Sequence, residues 1–275
     1  MGNLTKRVLT AATLIPLVVA AVLRLDWPYI GVILAGVLLA GAWEWTTLAG
    51  WRDKPIARLL FLFSSAGWIG ASTWIPSADV QLYLYAAVVW WVIAFAIVIA
   101  FQLDVWRPSK WSGPAWVVIG WLVVVPCWLS VVELHRTGEH GPGLVLIMLV
   151  IIWMADIGAY FAGRAFGKHK LASNVSPGKT WEGAVGGMVA SVAAAVVYVQ
   201  WIGVVEFTGF IALTAVVVVV SVLGDLTESL FKRVSGNKDS GSLLPGHGGV
   251  LDRIDSLTAA APVFALGVAL VEFQA

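Results

Sequence analysis

Long apolar runs dominate the chain and are separated by shorter polar stretches. Nine of these runs approach the length of about 20 residues that a helix needs to cross the hydrocarbon core of a bilayer. The runs are continuous and do not alternate between polar and apolar residues, so they predict helices and not the strands of a membrane barrel. The predicted spans are Val8–Leu23, Pro28–Thr47, Leu59–Pro76, Val80–Phe101, Pro114–Val132, Gly143–Gly163, Gly183–Val205, Phe207–Gly224 and Leu257–Val271.

The composition supports this interpretation. Of the 275 residues, 60% are apolar or aromatic and only 12% are charged, whereas a soluble domain carries about 25% charged residues. We therefore predict an all-α integral membrane protein, a polytopic bundle of about nine transmembrane helices. We predict that residues 1–275 form one membrane domain, with an N-terminal helical part over 1–142 and a second part over 143–275 that carries the polar motifs.

Tryptophan is unusually frequent, with 16 residues. Tryptophan side chains are enriched where a membrane meets water. We expect eight of them at these interfaces: Trp27, Trp43, Trp45, Trp51, Trp90, Trp91, Trp106 and Trp111.

Lys and Arg residues fall almost entirely on one side of the predicted spans. With the N-terminus in the cytoplasm, fifteen of the 17 cations face the cytoplasm, and only Arg24 and Arg136 face outside. Because cytoplasmic loops are enriched in these residues, the bias predicts a multi-pass protein of the cytoplasmic (inner) membrane with its N-terminus inside. A net charge of +1 provides no basic field for nucleic acid, so we expect no nucleic-acid partner.

Two cytoplasmic segments, Asp156–Glu182 and Asp225–Ser256, interrupt the apolar pattern. Together they hold eight of the 17 cations and seven of the 16 acids. Asp156 lies within the sixth span and Asp225 ends the eighth. Placing an ionisable group at such a position costs free energy, so each of these residues is a candidate for a functional site. We therefore expect a polar site at the cytoplasmic face.

The second segment predicts two polar helix faces joined by a loop. Asp225, Glu228, Ser229 and Lys232 are spaced by three and four residues, which places them on one face of a helix that continues the eighth span. Asp252, Asp255 and Ser256 form a similar face leading into the ninth span. The intervening residues 235–249 contain five glycines and one proline, which is typical of a tight loop whose backbone can approach a ligand.

Aspartates without a cysteine or histidine cluster favour a hard cation such as Mg²⁺. We expect Asp225 and Asp252 to bind it, since they lie on the two helix faces, with Asp255 and Asp156 as second choices. Nearby cations would bind phosphate oxygens; the candidates are Lys179, Lys232, Arg233 and Lys238. Metal, cations and glycine backbone together indicate phosphoryl or nucleotidyl transfer. The alternative is a network of salt bridges that only holds the loop.

The first segment contains Ser176-Pro-Gly-Lys179-Thr180, which resembles part of a P-loop. A P-loop requires glycine at position 173, where this chain has Ser, so a Walker-type NTPase is excluded. Lys179 with Ser176 and Thr180 remains a candidate phosphate contact.

Glu44 and the residues near the outer loop leave alternatives open. The pattern does not decide whether Glu44 is buried in the second span or lies at the interface. His135 and His140 favour a solvated loop over a metal site.

Gly183 and Gly187 form a GxxxG spacing that permits close helix contact.

The stretch from Ser229 to Asp255 resembles the signature of the phosphatidate cytidylyltransferase family, also called CDP-diacylglycerol synthase. It reads SLFKR, four residues, KDSG, then PGHGGVLDRID. The upstream stretch from Asp156 to Gly183 also resembles this family. Ala155 stands where the family pattern has Thr, and Gly178 stands where a second Lys is common. The resemblance covers residues 150–260 by motif, and the N-terminal half matches only as a hydrophobic multi-span chain.

The resemblance implies a reaction in which CTP and phosphatidate give CDP-diacylglycerol and pyrophosphate. It also implies dependence on Mg²⁺, joined by a monovalent cation such as K⁺, a homodimer, and an active site facing the cytoplasm. His247 would contact the triphosphate or stabilise the leaving pyrophosphate. The further substrate-binding candidates are Ser176, Thr180, Ser229, Asp239, Gly248, Gly249 and Arg253, beside Lys179.

A membrane transporter or channel for an anion or a divalent cation is the alternative function. Such a protein should distribute its acids over several spans near the midplane, whereas here they cluster at one face. A CDP-alcohol phosphotransferase would need regularly spaced aspartates after an Asp-Gly pair, and this chain has no such run.

Overall fold

The computed structural model describes residues 3–107, 113–202, 207–237, 239–241, 243 and 248–270. Nine helices and one hairpin lie within these ranges. The helices are α1 (Asn3–Arg24), α2 (Trp27–Leu48), α3 (Pro55–Ser72), α4 (Ser77–Gln102), α5 (Gly113–Arg136), α6 (Gly141–Phe166), α7 (Trp181–Ile202), α8 (Phe207–Ser235) and α9 (Leu251–Val268).

Each predicted span overlaps one of these helices, although the ends of the third, seventh and ninth spans extend beyond the described helices. Six of the described helices, α2 and α4–α8, are long and apolar enough to cross a membrane. The multi-pass helical architecture is therefore confirmed. The number of nine crossings stays a prediction, because α1, α3 and α9 are not among these six.

Helix α5 lies at the centre of the bundle. It packs against α2, α3, α4, α6 and α9, and 72% of its span is buried inside the protein. Cys127 on this helix is fully buried, in agreement with its predicted packing role. The ends of α5 therefore set where the surrounding helices can place their polar residues.

Of the eight tryptophans expected at the membrane interfaces, Trp45, Trp51, Trp90 and Trp91 are buried in the core of the bundle, and Trp111 lies outside the described residues. Trp45 shows the physical reason. Its indole N–H donates to the Trp116 carbonyl at 2.9 Å, and its ring meets Phe231 edge-on at 5.1 Å. The indole N–H of Trp45 is therefore satisfied inside the bundle, whereas those of Trp90 and Trp91 are buried without a hydrogen-bond partner among the described residues.

Helices α6 and α7 pack closely through glycines. A Cβ atom at Gly183 would lie 3.0 Å from the Ala159 carbonyl oxygen, and one at Gly187 would lie 2.5 Å from that of Ala155. The close helix contact predicted from the GxxxG spacing is therefore confirmed. Gly158 on α6 has the same property, since its Cβ would lie 2.5 Å from the Gly186 carbonyl oxygen.

A short antiparallel hairpin joins α6 to α7, where the sequence predicted only a loop. Its strands are β1 (Lys170–Ala172) and β2 (Ser176–Thr180), with Lys170 opposite Thr180. Ser173 and Asn174, which are turn-forming residues, connect the strands. The elements described elsewhere are all helices, so the all-α assignment holds for the bundle. The hairpin matters because it brings Lys179 back to the end of the helix bundle.

Candidate active site

The two polar faces predicted from the sequence lie on α8 and α9, which pack against each other. Gly224 permits this contact: a Cβ atom there would lie 2.5 Å from the Asp255 carbonyl oxygen and 2.9 Å from the Ala259 Cβ. Because the helices approach so closely, Asp225 on α8 lies beside Asp255 on α9. The carboxylates of the two helix faces therefore meet at one end of the bundle.

Four residues form what we call the Lys179 cluster: Lys179, Asp156, Asp225 and Asp255. The Lys179 ammonium lies 2.8 Å from Asp225 Oδ2 and 3.4 Å from the Val222 carbonyl oxygen. Asp156 and Asp255 are close enough to interact electrostatically with both Asp225 and Lys179. One described lysine thus faces three carboxylates, which come from α6, α8 and α9.

Three residues form the Lys232 cluster: Lys232, Glu228 and Asp252. The Lys232 ammonium lies 2.7 Å from Asp252 Oδ1 and 3.2 Å from Glu228 Oε1. Glu228 also interacts electrostatically with Asp255, so the two clusters are neighbours. Within the described ranges, the second oxygen of the buried Glu228 carboxylate has no hydrogen-bond donor.

Asp252 also holds both ends of the glycine loop, which we define as residues 236–249. Its Oδ2 accepts hydrogen bonds from the Gly249 N–H at 2.9 Å and the Ser240 N–H at 3.4 Å. Burial alone would raise the pKa of Asp252, but its interactions with Glu228, Lys232 and the Gly249 N–H outweigh burial and hold that pKa well below its usual range. Gly248 has a φ of 82°, which favours glycine.

Glu44, whose location the sequence left open, is buried. It lies near the C-terminal end of α2 with only 2% of its surface exposed. Its Oε2 accepts hydrogen bonds from the Leu251 N–H at 2.9 Å and from the Ser240 hydroxyl at 3.3 Å. The first half of the chain therefore contributes an acid directly beside the glycine loop.

The remaining predicted site residues have varied surroundings. Thr180 is buried, and its hydroxyl accepts a hydrogen bond from the Gly183 N–H at 3.1 Å, which caps α7. Arg233 donates to the Val175 carbonyl at 3.3 Å and so contacts the hairpin turn. Ser229 donates to Asp225 Oδ1 at 3.2 Å. Their substrate contacts stay predictions, as do those of Ser176 on β2, of Gly248 and Gly249, and of the exposed Asp239 and Arg253. Lys238 and His247 lie outside the described residues.

The predicted metal ligands are divided between the two clusters. Asp225 lies with Asp255 and Asp156, whereas Asp252 lies with Lys232 and Glu228. Within the residues that the structure describes, no three His, Cys, Asp or Glu side chains form a ready set of metal ligands. The chemistry of the donors nevertheless suits a hard cation, because all of them are carboxylate oxygens and one oxygen of Glu228 lacks a donor.

Glu228 and Glu44 are the site residues that the sequence analysis did not select. Glu228 was on the predicted polar face, three residues after Asp225 and four before Lys232, so its spacing could have identified it. Glu44 carried the weaker signal of a lone acid inside a span. Nothing in the local sequence connects it to a loop about 200 residues away.

Two cavities differ in their relation to this site. Glu228 and Asp255 line a small internal cavity of about 20 Å³, which has room for one water molecule and is far too small for a nucleotide. A larger cavity of about 310 Å³ lies on the other side of the bundle, at the ends of α2 and α5 that are farther from this site. Arg24 and His135 are among the residues that line it. His135 contacts the Val22 carbonyl oxygen through Nε2 at 2.9 Å, so that ring nitrogen is already engaged.

Comparison with known proteins places the chain beside one family and several named relatives. Residues 5–271 match the model of the Cytidylyltransferase family. The phosphatidate cytidylyltransferase of Haemophilus influenzae is 40% identical over 282 aligned residues, which cover 95% of this chain and 97% of that protein. The enzyme of the same name from Pseudomonas aeruginosa is 42% identical, with 95% and 96% covered. The one from Brucella suis is 36% identical, with 97% and 93% covered.

Proposed function

The chain belongs to the Cytidylyltransferase family, and we propose that it transfers the cytidylyl group of CTP to phosphatidate, giving CDP-diacylglycerol and pyrophosphate. The relatives that bear this activity in their names match nearly the whole chain at 40–42% identity. The observation that carries the proposal is the convergence of the signature residues: at the end of the bundle, Asp252 accepts hydrogen bonds from both the Lys232 ammonium and the Gly249 N–H.

The reaction joins two anions and needs no covalent enzyme intermediate. A phosphate oxygen of phosphatidate attacks the α-phosphorus of CTP, and the bond from that phosphorus to the bridging oxygen of pyrophosphate breaks. Pyrophosphate leaves with the electron pair. The task of the protein is therefore to bring negative groups together and to neutralise the charge that develops, which is mainly an electrostatic and positioning task.

The lysines of the two clusters are suited to bind the phosphates. Lys179 is held by Asp225 and by a carbonyl oxygen, and it remains accessible, so an arriving phosphate can share or replace these partners. Lys232 is fixed between Glu228 and Asp252. Arg233, Lys238 and His247 complete the proposed set of phosphate contacts.

The acids outnumber the described cations that face them. Asp156, Asp225, Asp255, Glu228 and Asp252 surround Lys179 and Lys232, with Arg253 near Asp156. Bringing triphosphate and phosphatidate to this group without a further positive charge would be strongly unfavourable. We therefore assign Mg²⁺ to the carboxylates, with a monovalent cation such as K⁺ as a second ion. Mg²⁺ would neutralise phosphate oxygens and orient the α-phosphate.

The location of the site at one end of the helices fits the two substrates. Phosphatidate is confined to the bilayer and would enter from the side, whereas CTP is soluble in water.

The proposed cytoplasmic orientation rests on the distribution of Lys and Arg. It is tested with Lys170→Cys and Asn237→Cys in a Cys127→Ser background, beside Glu139→Cys as the control for the outer side. An impermeant thiol reagent should label only Glu139→Cys in intact cells, and labelling of the other two would contradict the orientation.

The proposed homodimer is tested separately. The mass of the purified protein in detergent, corrected for bound detergent, should be twice the chain mass of 29.4 kDa. A single chain mass at the concentrations used for the activity assay would contradict the dimer.

The direct test of the function is incorporation of cytidine-labelled CTP into lipid by the purified protein. Labelled lipid should form only when phosphatidate and Mg²⁺ are both present, with K⁺ supplied, and pyrophosphate should appear in equal amount. Absence of labelled lipid under these conditions would contradict the proposal. The transporter alternative is not supported, since the acids gather at one end of the helices and the relatives are enzymes by name.

A further inference from the structure

Glu44 is a buried carboxylate that the reaction as described above does not use. It lies on α2, in the part of the chain without signature motifs, and 2% of its surface is exposed. A charged group at such depth is costly unless specific partners stabilise it. All the polar partners that the structure describes for it belong to the glycine loop or to the start of α9.

The contacts of Glu44 hold the two ends of the glycine loop together. Its Oε2 accepts a hydrogen bond from the Ser240 hydroxyl near the first end, at 3.3 Å, and one from the Leu251 N–H just beyond the second end, at 2.9 Å. Leu251 is the first residue of α9, and its N–H has no partner within that helix. The negative charge of Glu44 is thus also placed at a helix N-terminus, where it is favourable.

The loop backbone is packed directly onto this carboxylate. A Cβ atom at Gly241 would overlap Glu44 Oε1, and one at Gly249 would overlap both Glu44 Oε2 and the Ser240 hydroxyl. These two glycines are therefore required by the position of Glu44, because any side chain there would displace either the loop or the carboxylate.

Ser240 connects Glu44 to the Lys232 cluster. Its hydroxyl donates to Glu44, while its backbone N–H donates to Asp252 Oδ2. Asp252 in turn binds the Lys232 ammonium at 2.7 Å. A change at Glu44 is therefore transmitted through a single residue to the groups that would bind the triphosphate.

We propose that Glu44 is a positioning residue for cytidylyl transfer, whose carboxylate holds Ser240 and Leu251 together so that Asp252 and Lys232 keep their places for the triphosphate of CTP. The inference rests on the proposed function. It assigns no direct substrate contact to Glu44, which acts through Ser240, Gly249 and Leu251.

The first test is Glu44→Gln. The amide can turn only one oxygen towards Leu251 and Ser240, and its NH₂ group would face the Gly241 backbone. The KM for CTP should rise and kcat/KM for CTP should fall on the order of 10–100-fold, as for other groups that orient a reactive site. The KM for phosphatidate should stay near the wild-type value. Glu133→Gln, at the outer end of α5, is the matched control and should behave as wild type.

The second test uses compensation. Gly241→Ala introduces a Cβ atom against Glu44 Oε1 and should raise the KM for CTP in the same way. Glu44→Asp withdraws the carboxylate by one methylene group. The double variant Gly241→Ala/Glu44→Asp should therefore recover part of the CTP affinity that Gly241→Ala loses. Such rescue would not follow from two independent losses of packing.

Melting temperature in detergent, with and without CTP, provides a readout independent of turnover. CTP should stabilise wild type and Glu133→Gln more than Glu44→Gln at the same concentration. An unchanged KM for CTP in Glu44→Gln would overturn the positioning role. So would equal changes in the KM for CTP and the KM for phosphatidate, together with additive losses of CTP affinity in the double variant. Failure of the wild-type protein to make labelled lipid would instead contradict the proposed function itself.

Discussion

The Lys179 cluster and the Lys232 cluster use the same residue types in different environments. In the first, the side chains of Lys179 and Asp225 are 23% and 34% exposed. In the second, those of Lys232, Asp252 and Glu228 are 16%, 13% and 5% exposed. An accessible ion pair is weak and can exchange partners, whereas a buried one is costly to break. The first cluster is therefore suited to receive substrate, and the second to hold the site in shape.

Removing the cation of the buried cluster should have the largest effect on stability. Lys232→Met keeps an unbranched side chain but leaves Glu228 and Asp252 without their ammonium partner. Breaking a buried pair in this way costs about 3–5 kcal/mol, so the melting temperature in detergent should fall strongly and activity should be lost. A melting temperature equal to wild type would contradict the distinction between the clusters.

The contact that brings the clusters together can be loosened at Gly224. Gly224→Ala places a methyl group 2.5 Å from the Asp255 carbonyl oxygen, so α8 and α9 must separate. Overpacking of this kind costs about 1–3 kcal/mol, and turnover should fall because Asp225 moves away from Asp255. Gly36→Ala on α2 is the matched control, since nothing lies within 4 Å of its Cβ position. Equal stability and turnover in the two variants would show that the close approach is not required.

Removing the cation of the Lys179 cluster should lower substrate affinity and leave stability nearly unchanged, which is the opposite of the result expected for Lys232→Met. Lys179→Ala removes a partly exposed ion pair, which is worth about 0–1 kcal/mol of stability. Loss of a charged hydrogen bond to phosphate should cost about 1.5–3 kcal/mol of apparent substrate affinity. Kinetics of the purified variant should show a raised KM with a nearly unchanged melting temperature. Wild-type KM values for both substrates would leave Lys179 as a surface cation.

The sequence predicted the helices and most of the site because both depend on local patterns. The apolar runs indicated the spans, and the spacing of Asp225, Glu228 and Lys232 indicated one helix face, which the structure confirms. The hairpin at 170–180 was missed because its strands are short, and two of the five residues in β2 are Pro and Gly. The buried tryptophans were missed because an indole fits a core and an interface equally well.

The pairing of the charged groups could not be predicted from local patterns. The sequence placed Asp225 and Asp252 together as first metal ligands, but the separation of the two clusters depends on the packing of α8 against α9 at Gly224. The contact of Glu44 with Leu251 joins residues 207 positions apart. Such contacts follow from the tertiary arrangement, and a single sequence contains no periodicity that reports them.

The most direct test of the account is turnover of Asp225→Asn over a Mg²⁺ titration, measured together with its melting temperature. Asparagine keeps the size and one oxygen of the Asp225 side chain but removes its negative charge from the Lys179 cluster. We predict that turnover falls by about two orders of magnitude or more, that high Mg²⁺ or Mn²⁺ restores part of it, and that the metal-free protein melts close to wild type. Full turnover of Asp225→Asn at ordinary Mg²⁺, or a low melting temperature with a proportionate loss of activity, would contradict a cation held by this carboxylate.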